Sequence, residues 1–238
     1  MGIEAGLSTE ALAAAMPDRA VRWYRALLST EADALAWARG GAPEGAVVAA
    51  GYQASPRGRA GREWRIDPAA DLAFSLILRP HLSPEREGWM YTIAASGVAD
   101  VVGEGATIEW PDEVRLGKKR AGAVGMYVEL GPETTKWAVV NVLLVAAEGP
   151  PAELIARAVA AIEERHRATP EDVLSDYLSR CETIGRPVRA RLIPLGPSGP
   201  QVTGKAVGAL MDGALLIQTN NGRRIAVRPQ NLGLLEDT

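Results

Sequence analysis

Apolar and polar positions along this 238-residue chain fall into blocks that read as separate elements. Residues 21–28, 46–52 and 72–78 are short apolar runs bounded by turn residues, the pattern of strands with buried faces. Residues 121–130 and 136–146 read as paired strands joined by the turn Gly131-Pro132-Glu133. Helical spacing covers 32–39, 89–102, 151–167 and 170–181, and residues 1–19 predict one short helix closed by Pro17. Ser29 or Thr30 stands where an N-cap belongs, Gly40-Gly41 stops that helix, and Pro151 fits a first helical turn. After Gly185 the texture changes. Short β-like runs at 188–193, 202–209, 215–219 and 224–227 alternate with turn signals such as Asn220-Asn221-Gly222. This tail predicts a small barrel, with one domain at 1–185 and a second at 186–238.

Composition narrows the class. A hydrophobic content of 47% suits a packed globular protein, and 23% charged residues keep it soluble. A formal net charge of −3 argues against bulk electrostatic binding of nucleic acid. No apolar run approaches the roughly 20 residues of a membrane helix, and the start lacks a signal-peptide pattern. The single cysteine, Cys181, excludes an intrachain disulfide and fits a reducing cytoplasm. His81 and His166 lie far from each other and from Cys181, so a His/Cys zinc site or a histidine-activated nucleophile has little support. Chemistry must rest on Arg, Lys, Asp, Glu and backbone groups.

The segment Gln53-Ala-Ser-Pro-Arg-Gly-Arg-Ala-Gly-Arg-Glu-Trp64 carries the strongest signal. Arg57, Arg59 and Arg62 offer rigid forks of donors to carboxylate or phosphate, and Gly58 and Gly61 let the backbone close on a ligand. Taken alone, the segment reads equally well as a solvated basic loop. A second block, Ile108-Glu-Trp-Pro-Asp-Glu-Val114, precedes Gly117-Lys-Lys-Arg-Ala-Gly122.

Together these blocks resemble the biotin–protein ligases, whose loop reads Gly-Arg-Gly-Arg-x-Gly-Arg-x-Trp and whose later block reads Lys-Trp-Pro-Asn-Asp before Lys-x-Ala-Gly. Ser29-Thr30 stands where that family has Ser-Thr-Asn, and Asn141 ends a strand where it has Gly-x-Gly-Ile-Asn. The resemblance runs from about residue 21 to about 236. It implies an α+β catalytic domain, a mixed sheet flanked by helices, followed by a C-terminal SH3-like barrel. It also implies a two-step reaction: ATP activates biotin as biotinyl-5′-AMP, and a lysine of a biotin carboxyl carrier protein, an acyl-CoA carboxylase subunit, takes the biotinyl group. Mg²⁺ accompanies the ATP. Nucleic acid and membrane are not expected partners, and a homodimer is compatible with the sequence. Family enzymes can carry an N-terminal operator-binding domain; about twenty residues precede the first expected strand here, too few for one.

Carried over residue by residue, the resemblance places Ser29, Thr30, Gln53, Arg57, Gly58, Arg59, Lys119 and Gly122 around biotin. It places Arg57, Arg62, Trp64 and Asn141 around ATP. Lys119 and Arg59 take the catalytic roles, with Lys119 bridging the carboxylate and the α-phosphate. The residue-level alternatives stay open: Ser29 or Thr30 as a helix cap, Arg62 as a surface partner of Glu63, Trp64 and Trp110 as core. The chain departs from the family at Pro56, Glu109, Asp112, Glu113, Trp137 and Val139. Added carboxylates near an anionic ligand weaken ATP binding unless a cation compensates. A related acyl-adenylate ligase acting on lipoate or another acid, or a non-catalytic biotin- or carrier-binding member, are the rival readings.

Overall fold

The computed structural model describes residues 6–146 and 148–238. Among them the elements run α1 (Thr9–Ala15), β1 (Val21–Leu27), α2 (Thr30–Arg39), β2 (Val47–Gln53), β3 (Leu72–Leu78), α3 (Trp89–Val102), β4 (Ala106–Glu109), β5 (Glu113–Leu116), β6 (Lys119–Leu130) and β7 (Thr135–Leu144). Then follow α4 (Pro151–Arg167), α5 (Pro170–Arg180), β8 (Pro187–Leu192), β9 (Gln201–Ala209), β10 (Leu215–Gln218), β11 (Arg224–Val227) and β12 (Leu232–Asp237). The expected strands and helices are present at nearly the expected bounds. The expected N-terminal helix is shorter, and residues 1–5 of that expectation lie outside the described residues. The hairpin β4–β5 around the Trp-Pro-Asp turn is an addition: its two strands are each four residues long, too short for period-2 alternation to stand out.

Two sheets form. The first has seven strands in the order β1-β2-β3-β7-β6-β5-β4; β1 and β2 are parallel and the other pairs antiparallel. The second is antiparallel, β11-β10-β9-β8-β12, and forms the SH3-like C-terminal unit. The architecture is therefore α+β, a mixed sheet flanked by helices with a small β unit behind it.

Strand alternation sorts side chains onto the two faces of the first sheet. Leu72, Phe74, Leu76, Val124, Val140 and Val142 face α3 and α4 in the main core. The alternate residues look the other way: Val48, Ile77, Trp137 and Val139 pack under α2, and Ala73, Ala123 and Leu143 pack under Trp64 and Ile66. Helix α3 buries nearly all of its circumference, as its almost uniformly apolar sequence requires. It crosses α4 so closely at Gly97 that a Cβ there would lie 2.8 Å from the Ile162 Cα. Asp100 of α3 joins the layers, accepting paired hydrogen bonds from Arg165 of α4 (2.7 and 2.8 Å) and one from Arg180 of α5 (2.8 Å). Burial works to raise the Asp100 carboxyl, and these guanidiniums outweigh it and hold the group below the ordinary carboxylate range.

Candidate active site

Ser29 sits at the N-terminus of α2 in extended backbone and caps it, its hydroxyl oxygen accepting from the Glu31 N–H at 3.2 Å. Thr30 beside it is buried. Its backbone N–H donates to Gln53 Oε1 (2.8 Å), its hydroxyl lies 3.1 Å from the same oxygen, and Gln53 Nε2 donates to the Ala73 carbonyl (3.1 Å). The Ser75 hydroxyl lies 2.8 Å from both Thr30 Oγ1 and Asn141 Oδ1, so its one proton serves one of them at a time. Asn141 Nδ2 in turn donates to Glu31 Oε1 at 2.9 Å. Gln53, Thr30, Ser75, Asn141 and Glu31 thus form one polar chain across β2, α2, β3 and β7, set on the α2 face of the sheet. Burial pushes the Glu31 carboxyl above its ordinary range, and the Asn141 amide and the Arg57 charge pull it partly back. Asn141, expected on the nucleotide side, belongs instead to this chain. Sequence reasoning overlooked Ser75 and Glu31. The available signal for Glu31 was its place directly after Ser29-Thr30.

The arginine loop follows β2 as a short 3-10 turn at Arg59–Gly61. It lies flat on the sheet: a Cβ on Gly125 of β6 would sit 2.6 Å from the Gly58 carbonyl carbon, and one on Gly58 would sit 2.2 Å from the Trp64 indole nitrogen. Only glycine permits either approach. Each arginine already has partners. Arg57 donates to the Gly61 carbonyl at 2.9 Å. Arg59, only 7% exposed, donates from Nε to Asp112 Oδ1 at 3.0 Å and from its guanidinium to the Leu232 carbonyl. Arg62 donates to the Gly233 carbonyl. The loop therefore spans from the main sheet to β12 of the C-terminal unit. Glu63, the sequence-level partner considered for Arg62, accepts from the Ser55 hydroxyl at 2.9 Å.

Beside the loop opens a cleft of about 480 Å³ between β5, β6 and β12. Five guanidiniums (Arg59, Arg62, Arg65, Arg115, Arg120) and four carboxylates (Glu63, Glu109, Asp112, Glu113) line it, with Trp64, Leu234 and Leu235. The added carboxylates are taken up internally. Glu109 pairs with Arg115, and Arg186 lies 3.8 Å away. Glu113 pairs with Arg115 at 3.3 Å and with Arg120. Asp112 pairs with Arg59. Burial pushes the Asp112 carboxyl up, and the Arg59 charge and hydrogen bond oppose that. Trp110, the centre of the turn, is core: its indole N–H donates to the Gly213 carbonyl and its backbone N–H to Thr183 Oγ1, both at 2.9 Å. Among the described residues no three His, Cys, Asp or Glu side chains gather in a metal-holding group.

Two expected residues stand elsewhere. Lys119, the first residue of β6, is exposed and does not line this cleft. Gly122 faces the opposite side of the sheet, where a Cβ would lie 2.6 Å from Val98 of α3; the glycine beneath the loop is Gly125.

The fold so described is that of the biotin protein ligases. The structure matches the biotin protein ligase of Aquifex aeolicus in complex with biotin and ATP at a TM-score of 0.71 and 20% identity, covering 92% of this chain and 99% of that one. It matches the biotin acetyl coenzyme A carboxylase synthetase of Helicobacter pylori, with bound biotinylated ATP, at a TM-score of 0.63 and 19% identity, covering 88% of this chain and 100% of that one. In sequence the chain is 27% identical over 253 aligned residues to the bifunctional ligase/repressor BirA of Bacillus subtilis, across 92% of this chain and 74% of that protein. No protein-family profile matches. Fold and sequence together make this chain a relative of the biotin protein ligases.

Proposed function

We propose that the chain activates biotin with ATP and transfers the biotinyl group to a lysine of a biotin carboxyl carrier protein. The observation that carries this reading is the polar chain Gln53–Thr30–Ser75–Asn141 beside an arginine loop that rests on Gly125, the strand partner of Asn141, and borders a guanidinium-lined cleft. An acyl-adenylate ligase needs a polar seat for a neutral head group, cationic groups about a carboxylate and a phosphate, and shelter from water for the mixed anhydride. Ser29, Thr30 and Gln53 would hold the ureido ring. Arg57 and Arg59 would border the carboxylate and phosphate, and Arg62 and Trp64 the nucleotide. In the first step a biotin carboxylate oxygen bonds to the α-phosphorus and pyrophosphate leaves. In the second the lysine amine bonds to the acyl carbon, AMP leaves, and the amine loses its proton as the amide forms. With Glu109, Asp112 and Glu113 of the cleft paired to arginine, Mg²⁺ would be held chiefly by the phosphates of ATP.

Exchange of labelled pyrophosphate into ATP, run with biotin, with lipoate and with no acid, tests the activation step. Exchange with biotin alone is expected. Exchange with lipoate alone would move the reading to a lipoate ligase, and no exchange with either acid would favour a binding protein. Transfer is tested by mass change of a purified carrier domain, which should rise by one biotinyl group per acceptor lysine.

A further inference from the structure

Charge is divided unevenly along the chain. Residues 186–238 carry seven Lys or Arg against three Asp or Glu, a net +4, while the whole chain carries −3, so residues 1–185 carry −7. The three carboxylates of the C-terminal unit are engaged by its own arginines: Asp212 by Arg228 at 3.1 Å, Asp237 by Arg186, and Glu236, across β12 from Arg189, by Arg191 at 3.9 Å. Arg189, Lys205, Arg223 and Arg224 remain, and none of them pairs with a carboxylate among the described residues. Strand pairing sets three of the four on one face. Along β8 and β9 the buried Val188, Ala190, Val202 and Ala206 alternate with the exposed Arg189, Thr203 and Lys205. Arg189 opposes Thr203, two residues from Lys205; Lys205 opposes Gln218 of β10, and Gln218 opposes Arg224 of β11. Arg189, Lys205 and Arg224 are thus cations of one exposed sheet face, and the row Lys205–Gln218–Arg224 spans about 10 Å.

Like charges this close, near a Debye length of roughly 8 Å, repel one another and gain from a partner that brings carboxylates. Between them stand the exposed Gln201, Thr203 and Gln218, whose amides and hydroxyl can bond a folded polar surface. Strands β8 to β11 hold no aromatic residue, so bases would find no stacking platform there, which disfavours single-stranded nucleic acid. Building on the ligase reading above, we propose that the outer face of β8–β11, centred on Arg189, Lys205 and Arg224, docks the carrier domain through carboxylates on the carrier's surface. The carrier is the one macromolecule that the two-step reaction requires. The C-terminal unit also adjoins the reacting groups: its Leu232 and Gly233 carbonyls accept from Arg59 and Arg62 of the arginine loop. Leu234 and Leu235 of β12 line the cleft and pair with Arg191 and Ala190 of β8. Arg189 therefore stands one strand away from the cleft wall. Residues 1–185, at −7, repel an acidic partner, so the basic face also fixes the side from which the carrier approaches.

The test uses the full chain, labelled biotin and the purified apo carrier domain of a biotin-dependent carboxylase. R189E/K205E/R224E should raise the KM for the carrier by about tenfold or more, with kcat at saturating carrier within about threefold of wild type. Pyrophosphate exchange with biotin, which needs no carrier, should stay within about threefold, and the melting temperature should not move. Raising salt from about 20 mM to about 300 mM should weaken wild-type use of the carrier by a similar factor and leave the triple variant nearly flat. R25E/K136E/R157E makes the same change of net charge on exposed residues of the main unit and should leave the carrier KM within about threefold. Equal rises in KM for the two triple variants overturn the proposal in favour of bulk charge, and an unchanged KM in R189E/K205E/R224E overturns it outright. Loss of binding to a uridine oligonucleotide in that variant, with the carrier KM unchanged, overturns it in favour of nucleic acid. Wild type that fails to exchange pyrophosphate with biotin, or fails to label the carrier, overturns the ligase reading, and this inference falls with it. Wild type that does both, with R189E/K205E/R224E indistinguishable from it, overturns this inference alone.

Discussion

The seat under α2 and the cleft beside β12 are neighbours built on opposite physical plans. In the seat, neutral groups on four elements satisfy one another through hydrogen bonds, and the lone carboxylate, Glu31, is pushed toward its neutral form by burial. In the cleft, most groups are ionic, and Glu109, Asp112 and Glu113 are each paired with an arginine. The seat depends on position within a rigid sheet, so its geometry is preset and suits a neutral ring. The cleft depends on compensation, so a phosphate entering it exchanges partners instead of filling a vacuum of charge. Family departures such as Glu109, Asp112 and Glu113 look hostile to ATP when read singly. In the folded chain each carries its own arginine.

Arg59 is where the contrast can be broken hardest. Arg59→Ala leaves Asp112 buried without its cation, and breaking one side of a buried pair costs roughly 3–5 kcal/mol. Urea unfolding should show that loss, and Arg59→Ala with Asp112→Ala together should recover much of it. If the single variant unfolds as wild type does, the pair is not the link between loop and cleft.

Next in size is the seat. Asn141→Ala removes a partner from both Ser75 and Glu31, which leaves buried polar atoms unsatisfied at about 1–3 kcal/mol. Calorimetry should then show weaker biotin binding along with the stability loss. A variant that loses stability yet binds biotin at wild-type strength would separate Asn141 from the ligand. The helix layers on the seven-stranded sheet offer a control of similar size away from both sites. Gly97→Ala must push α3 off α4 and should cost about 1–3 kcal/mol while pyrophosphate exchange per folded molecule stays the same.

A pH titration sharpens the comparison further. The folded carboxyls of Glu31 and Asp112 are both raised, burial being the leading cause. Their stabilising contribution is therefore complete below the ordinary carboxylate range and is lost as pH rises through their raised folded values. Unfolding midpoints measured from acid toward neutral pH should fall less steeply in Glu31→Gln than in wild type. Parallel curves would mean that Glu31 is not buried as described.

The smallest effect belongs to the cleft rim. Arg186 pairs with the exposed Asp237 and faces Glu109 and Glu182 at 3.8 Å, all with partly exposed side chains, so Arg186→Ala should cost only about 0.2–1 kcal/mol. The difference should shrink in added salt, where screening removes most of it. A salt-independent loss would place this rim pair with the buried kind.

Much of the molecule follows from the chain by itself. Apolar runs such as 72–78 and the uniformly apolar stretch 89–102 had to be buried on all sides, so a central strand and a central helix were legible. Ser29 before an acidic first turn marked the α2 cap, and the tight turns after Gly185 marked a separate β unit. The glycine-spaced arginines beside Trp64, with the Trp-Pro-Asp turn, carried the class of chemistry. What the tertiary structure alone decided is which side chain meets which. A register shift between β5 and β6 at Val114–Arg115 sets which β6 side chains line the cleft, and no local pattern announces a one-residue slip. Gly122 turns to α3 while Gly125, an unremarked glycine, lies under the loop, because strand parity is counted from pairings tens of residues away. The balance of Glu109, Asp112 and Glu113 against Arg115, Arg59 and Arg120 is likewise a matter of distances, and distances exist only once the sheets have formed.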